Sequence, residues 1–182
     1  SNLEECVSKN LVSPPVGAPL VTSVGDQGGW RHAALDKAPA QAHMPDVGTT
    51  LSIDVAWGNP AVFVRAHSTK NAAGTTGGIS LDSAKTWTNF ATQPAGVTIP
   101  TEANGWAGTG GGMRAIALNA NGSTILWTAP GMTGPYVSRD GGATWTDASG
   151  TTLGAYGATP IGDKVNPARF YILDLPNAQI LT

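Results

Sequence analysis

Short runs of alternating apolar and polar residues, each closed by a turn signal, set the pattern of this chain. "TLSIDVAW" (Thr50–Trp57) alternates and ends at "GNP"; "AVFVRAH" (Ala61–His67) follows, then a Gly/Thr-rich stretch leading to "GGISLD". A second round reads "MRAIALN" (Met113–Asn119), "ANG", "STILWTA" (Ser123–Ala129) and "GPYVSRDGGATWTDA", and a third opens at "ATPIGDKVNPARFYILDL". Such runs, rich in β-branched and aromatic residues and bounded by Gly, Pro and Asn, predict strands. Each round has a first strand, an Asn turn (Asn59-Pro60, Asn121-Gly122, Asn166-Pro167) and a second strand. A third strand then runs into a Ser-x-Asp turn. A strand-turn unit that returns every ~40–60 residues is expected of propeller blades, each a four-stranded antiparallel sheet. A β-sandwich also has many short strands, but a turn motif repeated at the same place in each unit favours the propeller.

The turn motif is "SRDGGATW" at Ser138–Trp145, with a weaker copy, "SLDSAKTW", at Ser80–Trp87. An Asp ahead of small residues can accept hydrogen bonds from the turn's own N–H groups. The Thr can bond back across the turn, and the Trp can pack between sheets. None of this needs a substrate, so Asp82 and Asp140 are expected to be staples. The pattern is that of the Asp box, S-x-D-x-G-x-T-W, with Ala84 in place of the Gly in the first copy. The expected fold is therefore all-β: a partial β-propeller of four-stranded antiparallel blades with Asp-box turns. Residues 1–18, containing the start of the Pro-rich "LVSPPVGAPL", are expected to be a connector. Residues 19–182 are expected to form an incomplete propeller of about three to four blades, some of them partial.

Composition narrows the function. The chain has 182 residues, 10 basic and 12 acidic, with 24 Gly and 13 Pro. Near charge balance without a basic stripe argues against a nucleic-acid partner. No apolar run approaches the ~18 residues of a membrane span, so no membrane partner is expected. Cys6 is the only cysteine, so no internal disulfide can form. A signal peptide is not evident, so the chain is expected to be cytosolic or already processed. His32, His43 and His67 lie too far apart to make a metal motif, and neither a metal nor a cofactor is expected. "GTGGGMR" lacks the Lys-Ser/Thr of a phosphate-binding loop.

The segment best suited to chemistry is "PLVTSVGDQGGWRHAALDKAP" (Pro19–Pro39). Glycines around Asp26 keep other side chains away and let a ligand approach. Trp30 and His32 follow at once. A carboxyl beside an aromatic suits a sugar, whose ring stacks on the indole while the carboxyl moves a proton. Trp106, in "ANGWAGTGGG", is a second candidate sugar platform. Trp127 is expected in the core, and Trp87 and Trp145 as packing residues of the Asp boxes.

This stretch resembles the xyloglucan-active endoglucanases of glycoside hydrolase family 74, which carry a phrase like "PLLSAVGDxGGFRHxDL" at the start of their second propeller. Further similarity runs through "GGMRAIALNANGSTILWTAPG", "YVSRDGGATWTDASG" and "GDKVNPARFYILD". The resemblance implies a segment of an inverting hydrolase of β-1,4-glucan backbones, with xyloglucan as the expected polysaccharide, secreted or periplasmic after signal removal. It places Asp26 on one of two catalytic carboxylates, with the general acid as the expected role. Trp30, His32 and Trp106 are expected to bind substrate. The family's other catalytic phrase, like "RTDIGGAYRW", is absent, so the chain is expected to supply at most one carboxylate. The remainder of the propeller is then expected from another segment or from self-association. Two alternatives stay open: a non-catalytic propeller binding glycan or protein, and a sialidase, which needs three converging arginines.

Overall fold

In a computed structural model, residues 7–68, 74–97, 115–129, 132–148, 150 and 158–182 are described. Among them there are fourteen strands and no helix. The strands form four antiparallel sheets, each a meander in sequence order. The first contains β1 (Ser8–Val12), β2 (Leu20–Val24) and β3 (Arg31–His32). The second contains β4 (Thr50–Val55), β5 (Phe63–His67), β6 (Gly77–Ser80) and β7 (Thr88–Asn89). The third contains β8 (Ile116–Leu118), β9 (Ile125–Trp127), β10 (Tyr136–Ser138) and β11 (Thr146–Asp147). The fourth contains β12 (Thr159–Gly162), β13 (Phe170–Asp174) and β14 (Gln179–Leu181).

The Asn turns make the hairpins. Val62 donates its N–H to the Asn59 carbonyl (2.9 Å), Arg169 does so to Asn166 (3.2 Å), and Gly122 bonds back to Asn119 (3.2 Å). One strand lies inside the stretch read as a connector: Ser8–Val12 pairs with β2 from Ser8↔Val24 to Val12↔Val21. The prolines that break the ladder, Pro14 and Pro15, come only after it.

The first strands β1, β4, β8 and β12 pack against one another in succession, which stacks the sheets as propeller blades. Together they line a shared axial cavity of about 250 Å³ whose walls include Asn10, Ser52, Asp54, Ile116, Ile161 and Lys164. Across that axis the Lys164 ammonium meets the Asp54 carboxylate (2.7 Å) and donates to the Val55 carbonyl (3.0 Å). Asp54 also accepts the Leu118 N–H (2.8 Å), so three blades converge on one carboxylate.

Because the second sheet lies between two others, β5 is buried on both faces. Alternation sends Phe63, Arg65 and His67 toward the first sheet, and Val64 and Ala66 toward the third. The seam with the third sheet is apolar: Val64, Ala66, Phe90, Ile116, Leu118 and Trp127 form one cluster. Phe90, Trp127 and Trp145 meet there with centroids 5.2–5.7 Å apart, in tilted and edge-on contacts. The seam with the first sheet mixes Val21, Ile53, Phe63 and Trp87 with buried Ser23, His43, Arg65 and His67.

Candidate functional site

The two Ser-x-Asp turns consume their own carboxylates. Asp140 Oδ1 accepts the N–H groups of Ala143 (3.1 Å) and Thr144 (2.9 Å) and the Ser138 hydroxyl (2.8 Å), while Oδ2 accepts the Thr144 hydroxyl. Ser138 Oγ in turn accepts the Gly142 N–H (2.8 Å). Asp82 repeats the set with Lys85, Thr86 and Ser80. Hydrogen bonds from Thr144 and Ser138 hold the Asp140 pKa down at about 2. Those from Thr86, Ser80 and Lys85 outweigh desolvation and lower that of Asp82. Each turn also grips the preceding blade. Trp145 Nε1 donates to the Thr92 carbonyl (3.2 Å) and Thr92 donates to that of Ala143 (2.9 Å); Arg31 Nε donates to Ser83 (3.0 Å).

The Asp26 turn, between β2 and β3, is built the other way round. Its backbone is tied down while its carboxylate faces solvent. Asp26 sits at φ +66°, and Gln27 N–H reaches the Gly25 carbonyl (2.7 Å), closing a γ-turn around it. Gly25 N–H bonds Val7 (2.9 Å), and the Asp26 N–H is accepted by Thr49 Oγ1 (3.2 Å). Gly29, at φ +132°, lets the hairpin close: a Cβ there would stand 2.0 Å from the Thr22 carbonyl oxygen. Trp30 then pairs with Thr22 through its backbone and bridges to Ala42, its side chain half-buried. His32 is half-buried opposite Leu20. Asp26, Trp30 and His32 therefore share one hairpin. Trp106 lies outside the described residues. Trp57 is 49% exposed at the β4–β5 turn, and Trp127 is fully buried, as its strand position predicts.

No protein-family profile matches the chain. Individual proteins do. It is 35% identical to a xyloglucanase of Paenibacillus sp. over 93% of its own length, and 33% identical to one of Acetivibrio thermocellus over 94%. Its fold superimposes on the crystal structure of a GH74 xyloglucanase from Xanthomonas campestris with a TM-score of 0.81, at 30% identity and over 98% of the chain. The chain is homologous to a segment of the family 74 xyloglucanases. It spans 15% and 18% of the two curated relatives' lengths and 23% of the solved chain.

Sequence reasoning missed the groups that surround Asp26. Lys9 lies in the stretch read as a connector. Burial lowers its pKa, and the Asp26 charge partly offsets that. Thr49 and Ser68 carry no motif, yet both are buried beneath the turn. Nearby, Arg65 is fully buried, with its guanidinium 4.8 Å from the Trp87 ring centroid, and His43 packs on the same indole at 5.3 Å. Desolvation, then the Arg65 charge, depresses His43 to about 3 and His67 to about 4, so both imidazoles are neutral. Among the described residues no cluster of three His, Cys, Asp or Glu could hold a metal.

Proposed function

We propose that this chain is part of a secreted xyloglucan hydrolase and that Asp26 is one of its two catalytic carboxylates. The observation that carries the reading is the contrast within one molecule. Asp82 and Asp140 spend their oxygens on their own turns, whereas Asp26 is anchored through its N–H and leaves its carboxylate to solvent. Similarity to xyloglucanases over 93% of the chain supports the substrate class. In inverting hydrolysis one carboxyl protonates the leaving glycosidic oxygen while the other activates water on the opposite face, about 6.5–9.5 Å away. Asp26 takes the acid's part; the base comes from polypeptide beyond this chain. Trp30 offers a partly exposed indole for a sugar ring, and half-buried His32 is assigned a polar contact on the same hairpin through Nδ1, since its Nε2 is sealed from solvent. Trp106 is assigned to the same substrate surface from its sequence alone.

The test is hydrolysis of xyloglucan by the native gene product and its Asp26→Asn variant. Asn tolerates the left-handed backbone, so the fold is retained. A fall in kcat of about 10²–10⁴-fold with little change in KM is expected; wild-type turnover by the variant would sink the assignment.

A further inference from the structure

We infer that Thr49 is a positioning residue for Asp26, held in place by Ser68. The inference rests on Asp26 acting as a catalytic carboxyl. A non-glycine residue at φ +66° is held in a sparsely populated conformation, which persists only when its surroundings enforce it. At Asp26 the enforcement comes from the neighbouring blade. Thr49 Oγ1, just ahead of β4, accepts the Asp26 N–H (3.2 Å). Thr49 is itself pinned: its N–H donates to Ser68 Oγ (3.0 Å), and its carbonyl accepts the Ser68 N–H (2.8 Å). The Ser68 hydroxyl reaches the carbonyls of Val47 (3.1 Å) and Thr49 (3.3 Å). Thr49 is 3% and Ser68 2% exposed, so water competes poorly for these bonds.

The chain of contacts runs from the end of β5, through the start of β4, to the tip of the β2–β3 hairpin. It sets the direction in which the Asp26 side chain leaves the backbone without touching the carboxylate. Misplacing a reacting group by about 1 Å costs about 10²-fold in rate, so a contact that fixes a strained backbone at the acid is kinetically visible.

The test compares Thr49→Val, which keeps the shape and removes the acceptor, with Thr49→Ser, which restores it. Amide exchange at Asp26 is followed by NMR, and xyloglucan hydrolysis by the native gene product gives kcat and KM. Thr49→Val is expected to speed exchange at Asp26 about fivefold to tenfold, the equivalent of one hydrogen bond. It should lower kcat about 10-fold to 100-fold with KM nearly constant, and Thr49→Ser should recover both. If Asp26→Asn abolishes turnover while Thr49→Val matches wild type in exchange and kcat, the positioning role is overturned and the hydrolase reading stands. Equal losses in the Val and Ser variants overturn it too. Full turnover in Asp26→Asn overturns the assignment of Asp26 as a catalytic carboxyl, and this inference with it.

Discussion

The seams on either side of the second blade are built on opposite principles. Toward the third blade the contact is apolar, with Phe90, Trp127 and Trp145 wedged together under a Ser-x-Asp turn. Toward the first blade the same strand β5 presents Arg65 and His67, fully buried, and His43 joins them from the loop before β4. A protein does not leave polar atoms sealed without cause, since each costs about 1–3 kcal/mol when unpaired. The hairpin that carries the candidate carboxylate is tied to this side of the blade through the Asp26 N–H, by way of Thr49 and Ser68. The apolar seam holds the blades together; the polar seam gives up some of that cohesion to fix a hairpin.

Acid should separate the two most strongly. His43 and His67 have folded pKa values of about 3 and about 4, below the ordinary 6.5. The unfolded chain therefore binds protons first, and stability falls as pH drops below about 6.5 and goes on falling toward the folded values. At pH 5 the loss comes to about 2 kcal/mol per histidine. Hydrogen exchange at pH 7 and pH 5 should show the β2 and β5 amides losing protection before those of β8 and β9. Uniform loss would mean that the seams do not differ in this way. His43→Phe should flatten the slope.

Steric substitution probes the same pair of seams at the turns. A Cβ at Gly142 would lie 2.1 Å from Phe90 Cδ1, whereas the equivalent residue in the other turn is already Ala84, packed with Ala18 and Val21. Gly142→Ala is expected to cost about 2–3 kcal/mol in urea unfolding, and Ala84→Gly under about 1.5 kcal/mol. Similar costs at both sites would erase the distinction between an aromatic and a small-residue neighbour.

The smallest expected effect tests the carboxylates. Ser138→Ala leaves the buried Gly142 N–H without its acceptor and should cost about 1–2 kcal/mol. Asp26→Asn should change stability by less than about 0.5 kcal/mol, as at an exposed site. A large loss at Asp26 would show that its carboxylate also braces the turn.

The apolar seam was legible in the sequence, because alternation, Asn turns and the Ser-x-Asp motif are local patterns with local causes. Trp127 could be placed in the core from its strand, and Asp82 and Asp140 could be read as staples from neighbours within four residues. The Asp26 hairpin was legible as a Gly-flanked carboxyl and no further. Its anchor, Thr49, lies 23 residues away on another sheet, and an isolated Thr carries no signal. Ser8–Val12 escaped notice for the same reason, since its pairing partner lies beyond a run of prolines. Arg65 in "FVRAH" breaks an apolar run, and it is accommodated by contacts remote in sequence: the indole of Trp87, the Pro45 carbonyl (3.4 Å) and the charge of Asp46.

Asp54 makes its contacts with partners 64 and 110 residues downstream. During synthesis it first receives the Leu118 amide and only much later the Lys164 cation. Until then the carboxylate on the half-built axis has the Leu118 amide but not the Lys164 countercharge. The fourth blade thus gives the second a countercharge that the amide from the third does not supply.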